Sequence, residues 1–144
     1  MPIQIPITPV YARANLVEML DAEYNMLLSH VENLTDDQLN WRPNPNAHSI
    51  MDILWHLSYQ SEPSRPANGE QARERLANWY QQHRDRASRP GSLSESLTWW
   101  NGEQIDYKGY LSGFVIRHIA YHYGQVTAIR QAMGIDVAKF YHED

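Results

Sequence analysis

Two histidines four positions apart, His118 and His122, are the side chains in this sequence best placed to do chemistry together. In an α-helix such residues lie on one face about one turn apart, so both imidazoles can reach a single ion. Both fall on the apolar stripe of a predicted helix, where an imidazole without a partner costs roughly 1–3 kcal/mol. A metal ion, a carboxylate or a tyrosine hydroxyl can supply that partner, so a pair of satisfied core histidines is the alternative to a metal site.

A third imidazole is available from a separate segment, because His56 lies at the border of another apolar helix face. Three histidines would occupy three corners of a tetrahedron or one face of an octahedron, which leaves open positions for water or substrate. The chain has no cysteine, and this excludes thiolate ligands and a cysteine nucleophile. Ile119 stands where the H-E-x-x-H motif of zinc proteases carries its glutamate base, so a protease of that class is excluded.

Four other polar side chains are candidates for the surroundings of this site or for the substrate pocket. Gln60 lies four residues after the first of the three histidines and Gln125 seven after the second, so each could support a ligand by hydrogen bonding. Tyr59 and Tyr121 could donate a proton to a bound oxyanion. Solvent-exposed glutamines and space-filling tyrosines are the alternatives.

The remaining candidates are less central. Glu23 and His30 could supply a general base from the first helix, with His30 expected near solvent at the end of its stripe. His48 is expected to support a helix cap, and His83 and His142 are expected to be exposed.

The elements that position these residues are predicted to be helices. After the proline-rich residues 1–9, a helix is expected from about Val10, and Thr35 and Ser49 read as caps of the next two helical segments. The stripe of the first helix is Leu16, Leu20, Glu23, Leu27, His30 and Leu34, widened by Met19 and Met26. Three further helices are predicted at 50–60, 69–88 and 110–133, the last ended by Gly134. Residues 89–108 are expected to hold no long element, with Trp99 and Trp100 covering one end of the bundle.

Composition limits the class of protein. With 144 residues and 42% apolar side chains, the chain is expected to form a single domain, and the helices without a strand pattern favour an all-α, antiparallel or mixed four-helix bundle. A formal charge of −5 argues against nucleic acid as a partner. No apolar run reaches the roughly 20 residues of a membrane span, and no signal peptide is evident, so a cytoplasmic location without membrane contact is expected.

Three stretches of the chain carry a family resemblance. LTDDQLNWRP at 34–43 is similar to a turn that follows the first helix of the family, and HSIMDILWHL at 48–57 matches a helix ending in a ligand histidine. HIAYHYGQV at 118–126 looks like an H-x-x-x-H-x-G-Q segment of its last helix. In order and spacing these stretches resemble the DinB-like metalloenzymes, also called YfiT-like.

The resemblance implies a four-helix bundle over residues 1–144 with up-down-down-up order. It also implies a divalent metal, Zn, Ni or Fe, on His56, His118 and His122, and a homodimer, because many members form dimers. Characterised relatives include thiol-dependent transferases and isomerases that use low-molecular-weight thiols.

Two functions follow as hypotheses. In the first, the chain is a metal-dependent enzyme that activates a thiol or water bound to the ion, as a thiol transferase or a hydrolase acting on a small molecule. In the second, the bundle is not catalytic, the metal or polar cluster organises the core, and the function lies in dimerisation or in binding a protein partner.

Overall fold

A computed structural model describes residues 9–135, with side chains described from residue 16 onward. The predicted extended segment at the N-terminus and the predicted exposure of His142 lie outside these residues. The elements are α1 (Pro9–Val31), α2 (Asp36–Asn40), α3 (Ile50–Ser58), α4 (Gly69–Ser88), β1 (Ser96–Thr98), β2 (Gln104–Asp106), α5 (Tyr107–Tyr110) and α6 (Arg117–Ala132). A 3₁₀ turn at Ser92–Ser94 precedes β1, and a π-helical segment at Leu111–Ile116 joins α5 to α6.

Side-chain caps fix where the middle helices begin. The hydroxyl of Thr35 accepts from the backbone N–H of Gln38, whose side chain in turn accepts from the N–H of Thr35. Ser49 and Asp52 form the same reciprocal pair at the start of α3. Both predicted caps are therefore confirmed, and each satisfies two backbone donors that a helix start leaves without a partner.

The four main helices are α1, α3, α4 and α6, and their contacts give their directions. Arg84, late in α4, pairs with Asp21 in the middle of α1 at 3.0 Å. Arg73, early in α4, donates to the carbonyl of Val31 at the end of α1 at 3.3 Å, so these two helices run antiparallel. His56 and His118 meet at 3.0 Å, while Gln60 meets Tyr110 at 3.4 Å, so α3 runs antiparallel to the α5–α6 segment.

The ends of the first and last helices complete this order. Arg130, near the end of α6, donates to the carbonyl of His30 near the end of α1, at 2.7 Å. Helices α1 and α6 therefore run one way while α3 and α4 run the other. The predicted four-helix bundle and its up-down-down-up order are confirmed. No helix among the described residues is long and apolar enough to cross a membrane.

The buried face of α1 differs from the predicted stripe. Met19 and Met26 are 47% and 41% exposed, so the expectation that they widen the core is wrong. Tyr24 and Val31 are buried in their place. The reason is the position of the neighbouring helices. Helices α4 and α6 both pack against α1, and the exposed methionines are not part of the face that they bury.

Between α4 and α6 the chain contains structure that the sequence pattern did not indicate. Strands β1 and β2 form an antiparallel hairpin in which Leu97 pairs with Ile105. The expectation of helices without strands is thus wrong for these six residues. Trp99, in the connection between the strands, contacts the rings of Tyr110 and Phe114, as expected for a cover over the bundle end, whereas Trp100 is 85% exposed.

Candidate metal centre

The three predicted histidines meet at the contact between α3 and α6. His56 lies in the last turn of α3, His118 in the first turn of α6, and His122 one turn further on. The Nε2 atom of His118 lies 3.0 Å from that of His56 and 2.8 Å from that of His122. Ligand atoms of all three lie within 4.8 Å of one another. The spacing of the two helical histidines and the position of the third therefore do bring the rings together.

Hydrogen bonding alone does not satisfy this arrangement. A ring nitrogen carries either one N–H or one lone pair, so Nε2 of His118 can make one good hydrogen bond but faces two neighbours. An ion between the rings would accept a lone pair from each of them. With metal–nitrogen bonds of about 2.0–2.1 Å, neighbouring ligand atoms would lie about 3.0–3.4 Å apart, close to the separations observed. The donor set fits a divalent ion.

Burial keeps the two α6 histidines in the form that binds metal. Burial, together with the neighbouring His122 and His56, lowers the pKa of His118 to about 4. The pKa of His122 is also lowered by burial, although its hydrogen bond to Gln125 acts in the opposite direction. Both imidazoles are therefore neutral near pH 7, and their lone pairs are available without displacement of a proton.

Gln125 orients one ligand directly. Its Oε1 lies 2.6 Å from Nδ1 of His122, and because an amide oxygen only accepts, Nδ1 carries the proton. The Nε2 atom of His122 is then left with its lone pair directed at His118. The expectation that Gln125 supports the site agrees with this geometry.

Replacing Gln125 by alanine is expected to weaken metal affinity about 10- to 100-fold, because His122 loses the acceptor that sets its tautomer and ring orientation. Gln125→Glu keeps an acceptor and should recover most of the affinity. The measurement is calorimetric titration of metal-free protein with zinc. Gln131→Ala, an exposed change on the same helix, is the control, and an equal effect of both alanine variants would contradict the role.

Of the other three predicted neighbours, Tyr121 contacts a ligand histidine, whereas Tyr59 and Gln60 contact other aromatic residues. Tyr121 is 63% exposed, its ring meets His122 edge to face, and its hydroxyl accepts from the amide of Gln125 at 3.4 Å. Tyr59 is 52% exposed and contacts the ring of Trp55. The side-chain oxygen of Gln60 accepts a hydrogen bond from the hydroxyl of Tyr110 at 3.4 Å.

Two further histidines are less accessible than expected. His30 is buried, its Nδ1 bonds the carbonyl of Met26 at 2.9 Å, and its Nε2 lies 3.4 Å from the hydroxyl of Tyr123. The expected position near solvent is wrong, because the ring of Tyr123 in α6 packs edge to face against this ring. His83 is half-buried, with Nδ1 2.8 Å from the hydroxyl of Tyr107, so its predicted exposure is also wrong. This tyrosine directly follows strand β2 of the hairpin, which was not predicted.

A groove of about 250 Å³ opens beside His56 and His122, on the side of Gln125 and Tyr121. His48 and Asp52 lie at its edge. Burial raises the pKa of Asp52, but the N–H of Ser49 and the guanidinium of Arg65 outweigh it and bring the value to about 2. This carboxylate therefore stays ionised and anchored. The cap at Ser49 was predicted from the sequence, but nothing in the sequence indicated that Asp52 borders the groove.

A second, larger cavity of about 600 Å³ lies on the other side, where the hairpin meets α3, α4 and the π-helical segment. Aromatic rings form much of its wall: Trp99, Trp100, Tyr110 and Phe114. The ring of Phe114 lies 4.8 Å from that of His118, so one wall of this cavity contacts the histidine cluster. We call it the aromatic cavity.

Comparison with known proteins agrees with this fold. A family model described as the DinB superfamily matches residues 19–63, which include His56. A crystal structure from Exiguobacterium sibiricum 255-15, described as "a putative member of the DinB family", has 16% identity, covers 88% of this chain and 95% of that one, and gives a TM-score of 0.73. No curated protein sequence matches the chain.

YfiT from Bacillus subtilis is similar over 94% of this chain and 95% of its own, with 14% identity and a TM-score of 0.68. It is described as a probable metal-dependent hydrolase with an unusual four-helix bundle topology. The resemblance to the DinB superfamily is thus confirmed. At these identities the two structures establish the fold, whereas the activity of this chain has to be argued from its own residues.

Proposed function

We propose that this chain, with its DinB-superfamily fold, is a metal-dependent enzyme that activates water or a low-molecular-weight thiol. His56, His118 and His122 would hold the divalent ion, with Zn, Ni and Fe as candidates. The observation that carries the proposal is the contact of Nε2 of His118 with two other imidazole nitrogens, at 2.8 and 3.0 Å. A shared ion satisfies that arrangement, and one hydrogen bond does not.

Three imidazoles leave positions open on an ion, and a divalent ion so held lowers the pKa of a bound water or thiol toward neutrality. The chain itself supplies the orientation. Gln125 fixes the tautomer of His122, and the groove of about 250 Å³ gives a small molecule room beside the rings. Asp52 lies at the groove, but its salt bridges to Arg42 and Arg65 make it an anchor for α3 and a poor proton acceptor.

Two considerations bear on the nucleophile. The similar fold of YfiT, described as a probable metal-dependent hydrolase, supports water. The sequence resemblance to a family with thiol-dependent members supports a thiol. Both use the same open position, so both belong to the proposal, together with a small-molecule substrate and a homodimeric assembly.

Cobalt substitution tests the open site. Metal-free protein is loaded with Co²⁺ and then titrated with azide and with a small thiol such as 2-mercaptoethanol, while the visible absorption is recorded. A spectral change that saturates is expected, because the added ligand enters the coordination shell. A new charge-transfer band with the thiol alone would favour thiol chemistry, and a response to azide alone would favour water.

The competing hypothesis is a non-catalytic bundle in which the metal only organises the core. It predicts a closed site and a fold that depends on the ion. Thermal unfolding measured with and without a chelator reports that dependence. Collapse of the fold on chelation, with no response of the cobalt spectrum to either ligand, would favour this hypothesis over the enzyme.

A further inference from the structure

We infer that the aromatic cavity binds a planar aromatic molecule that carries an anionic, hydrogen-bond-accepting group such as a carboxylate. The inference deepens the proposed function, on which it rests, by naming the class of substrate that would lie next to the three histidines. It is carried by four features of the cavity: its rings, their alignment, its volume and its polar groups.

Aromatic rings run in an unbroken series from the cavity to the histidines. The ring of Trp99 lies 5.8 Å from Tyr110 and 5.3 Å from Phe114, and these two rings lie 5.4 Å apart. Phe114 then contacts His118 at 4.8 Å, and His118 contacts His122 at 4.5 Å. A flat ring bound among the first three would gain offset or edge-to-face contacts. Its substituents would lie within one or two ring widths of the histidine cluster.

The π-helical segment explains why these rings line up. Tyr110, Phe114, His118 and His122 recur every four residues, and in a regular α-helix of 3.6 residues per turn each step of four overshoots by about 40°. Over three steps the side chains would spiral away from one another. The segment Leu111–Ile116 has the wider i→i+5 turn, which offsets part of that drift. Such π turns are frequent at functional sites, and this one aligns cavity and cluster on one face.

Two of the polar side chains that line the cavity, Arg86 and Gln60, carry hydrogen-bond donors. Among the residues that the structure describes, Arg86 is the charged one in its lining, and no carboxylate lines it. The guanidinium donates from Nη2 to Glu95 at 3.0 Å, while its buried Nε has no hydrogen-bond partner. The amide of Gln60 accepts through its oxygen, which leaves its NH₂ free to donate. An acceptor on the ligand complements this set, and a negative one complements Arg86.

The size of the cavity sets the size of the ligand. A volume of about 600 Å³ is that of a small-molecule site and suits a ring system of one or two fused rings. Naphthalene-2-carboxylate and its neutral amide, naphthalene-2-carboxamide, have nearly the same shape and differ in charge. They therefore separate the contribution of the rings from that of the arginine.

Calorimetric titration of the full chain with each probe, first with a chelator present and then after loading with zinc, tests the inference. Sub-millimolar binding of the carboxylate is expected in both states, and weaker binding of the amide. Trp99→Ala should weaken both probes about tenfold, because a stacking wall is lost. Arg86→Gln should weaken the carboxylate about fivefold and leave the amide unchanged. Unaltered amide binding also shows that this variant keeps the cavity intact.

Trp41→Ala is the matched control, since Trp41 is partly exposed and lines a different groove with Met133 and Ile135. Absence of carboxylate binding, binding only when zinc is present, or equal losses in the Trp41 and Trp99 variants would each overturn the inference. The proposed function is tested separately. Trp99→Ala should still bind zinc, and a variant lacking His118 and His122 should still bind the naphthalene probe.

Discussion

The double variant His118→Ala/His122→Ala is expected to bind zinc at least about 10³-fold more weakly than the unaltered chain, because two of three imidazole ligands are lost. The third, His56, is exposed, and among the residues that the structure describes it belongs to no other cluster of three ligands. The measurement is competition for zinc against a chromophoric chelator. Circular dichroism should show an unchanged helix content, since the variant removes rings that crowd one another and leaves the apolar core intact.

The control for this experiment is His48→Ala. The side chain of His48 is 79% exposed, lies 3.9 Å from Asp52 and borders the groove, but it is not one of the three residues whose ligand atoms cluster. Its loss should leave zinc affinity within about a factor of two. Zinc affinity that survives the double variant, or that falls equally in the control, would mean that the ion is held elsewhere, and the proposed function would fail with it.

Most of the site could be predicted from the sequence, because the relative positions of its residues depend on spacing within single helices. A step of four residues inside a helix fixes the mutual position of His118 and His122 before any tertiary contact forms. The caps at Thr35 and Ser49 are equally local, and they set where α2 and α3 begin. Once α3 begins at Ile50, His56 is placed on the face that meets α6, and the third imidazole follows.

The features that were not predicted depend on contacts between distant segments. The three-residue strands around Leu97 and Ile105 are too short to show alternation, and their pairing depends on the turn between them. The π-helical segment was not predicted because its residues continue the apolar helical pattern, with Leu111 and Val115 buried as they would be in a regular α-helix. The aromatic cavity arises from both features, so neither its volume nor its position could be read from the order of residues.

The exposure of individual side chains was misjudged for the same reason. Met19 and Met26 fit the period of α1 as well as Tyr24 and Val31 do, and only the positions of α4 and α6 decide between the two sets. The polar helix α4 suggested that His83 faces solvent. Its ring is instead enclosed by Trp79 on its own helix and by Tyr107, which follows 24 residues later.

The enclosure of His83 has a measurable effect on stability. Burial, together with the positive charge of Arg86, lowers its pKa from the ordinary value of 6.5 to about 4. Between these two values the unfolded chain binds a proton at His83 that the folded chain does not, so the free energy of unfolding falls as the pH falls. The contribution is complete above pH 6.5, and the loss ends near pH 4, where the folded form is protonated as well.

We therefore expect wild-type protein to lose about 1–2 kcal/mol more unfolding free energy than His83→Gln does between about pH 7 and pH 5. Glutamine does not titrate and can still donate to the hydroxyl of Tyr107, so it removes the protonation equilibrium while keeping a polar contact. Urea unfolding of both proteins in the presence of a chelator gives the two pH profiles. The half-buried His118 has a pKa shifted in the same direction, and its effect is common to both proteins and cancels in the difference. Profiles that run parallel would show that the ring of His83 is hydrated in solution, and the wall of the aromatic cavity would then be open on the side of α4.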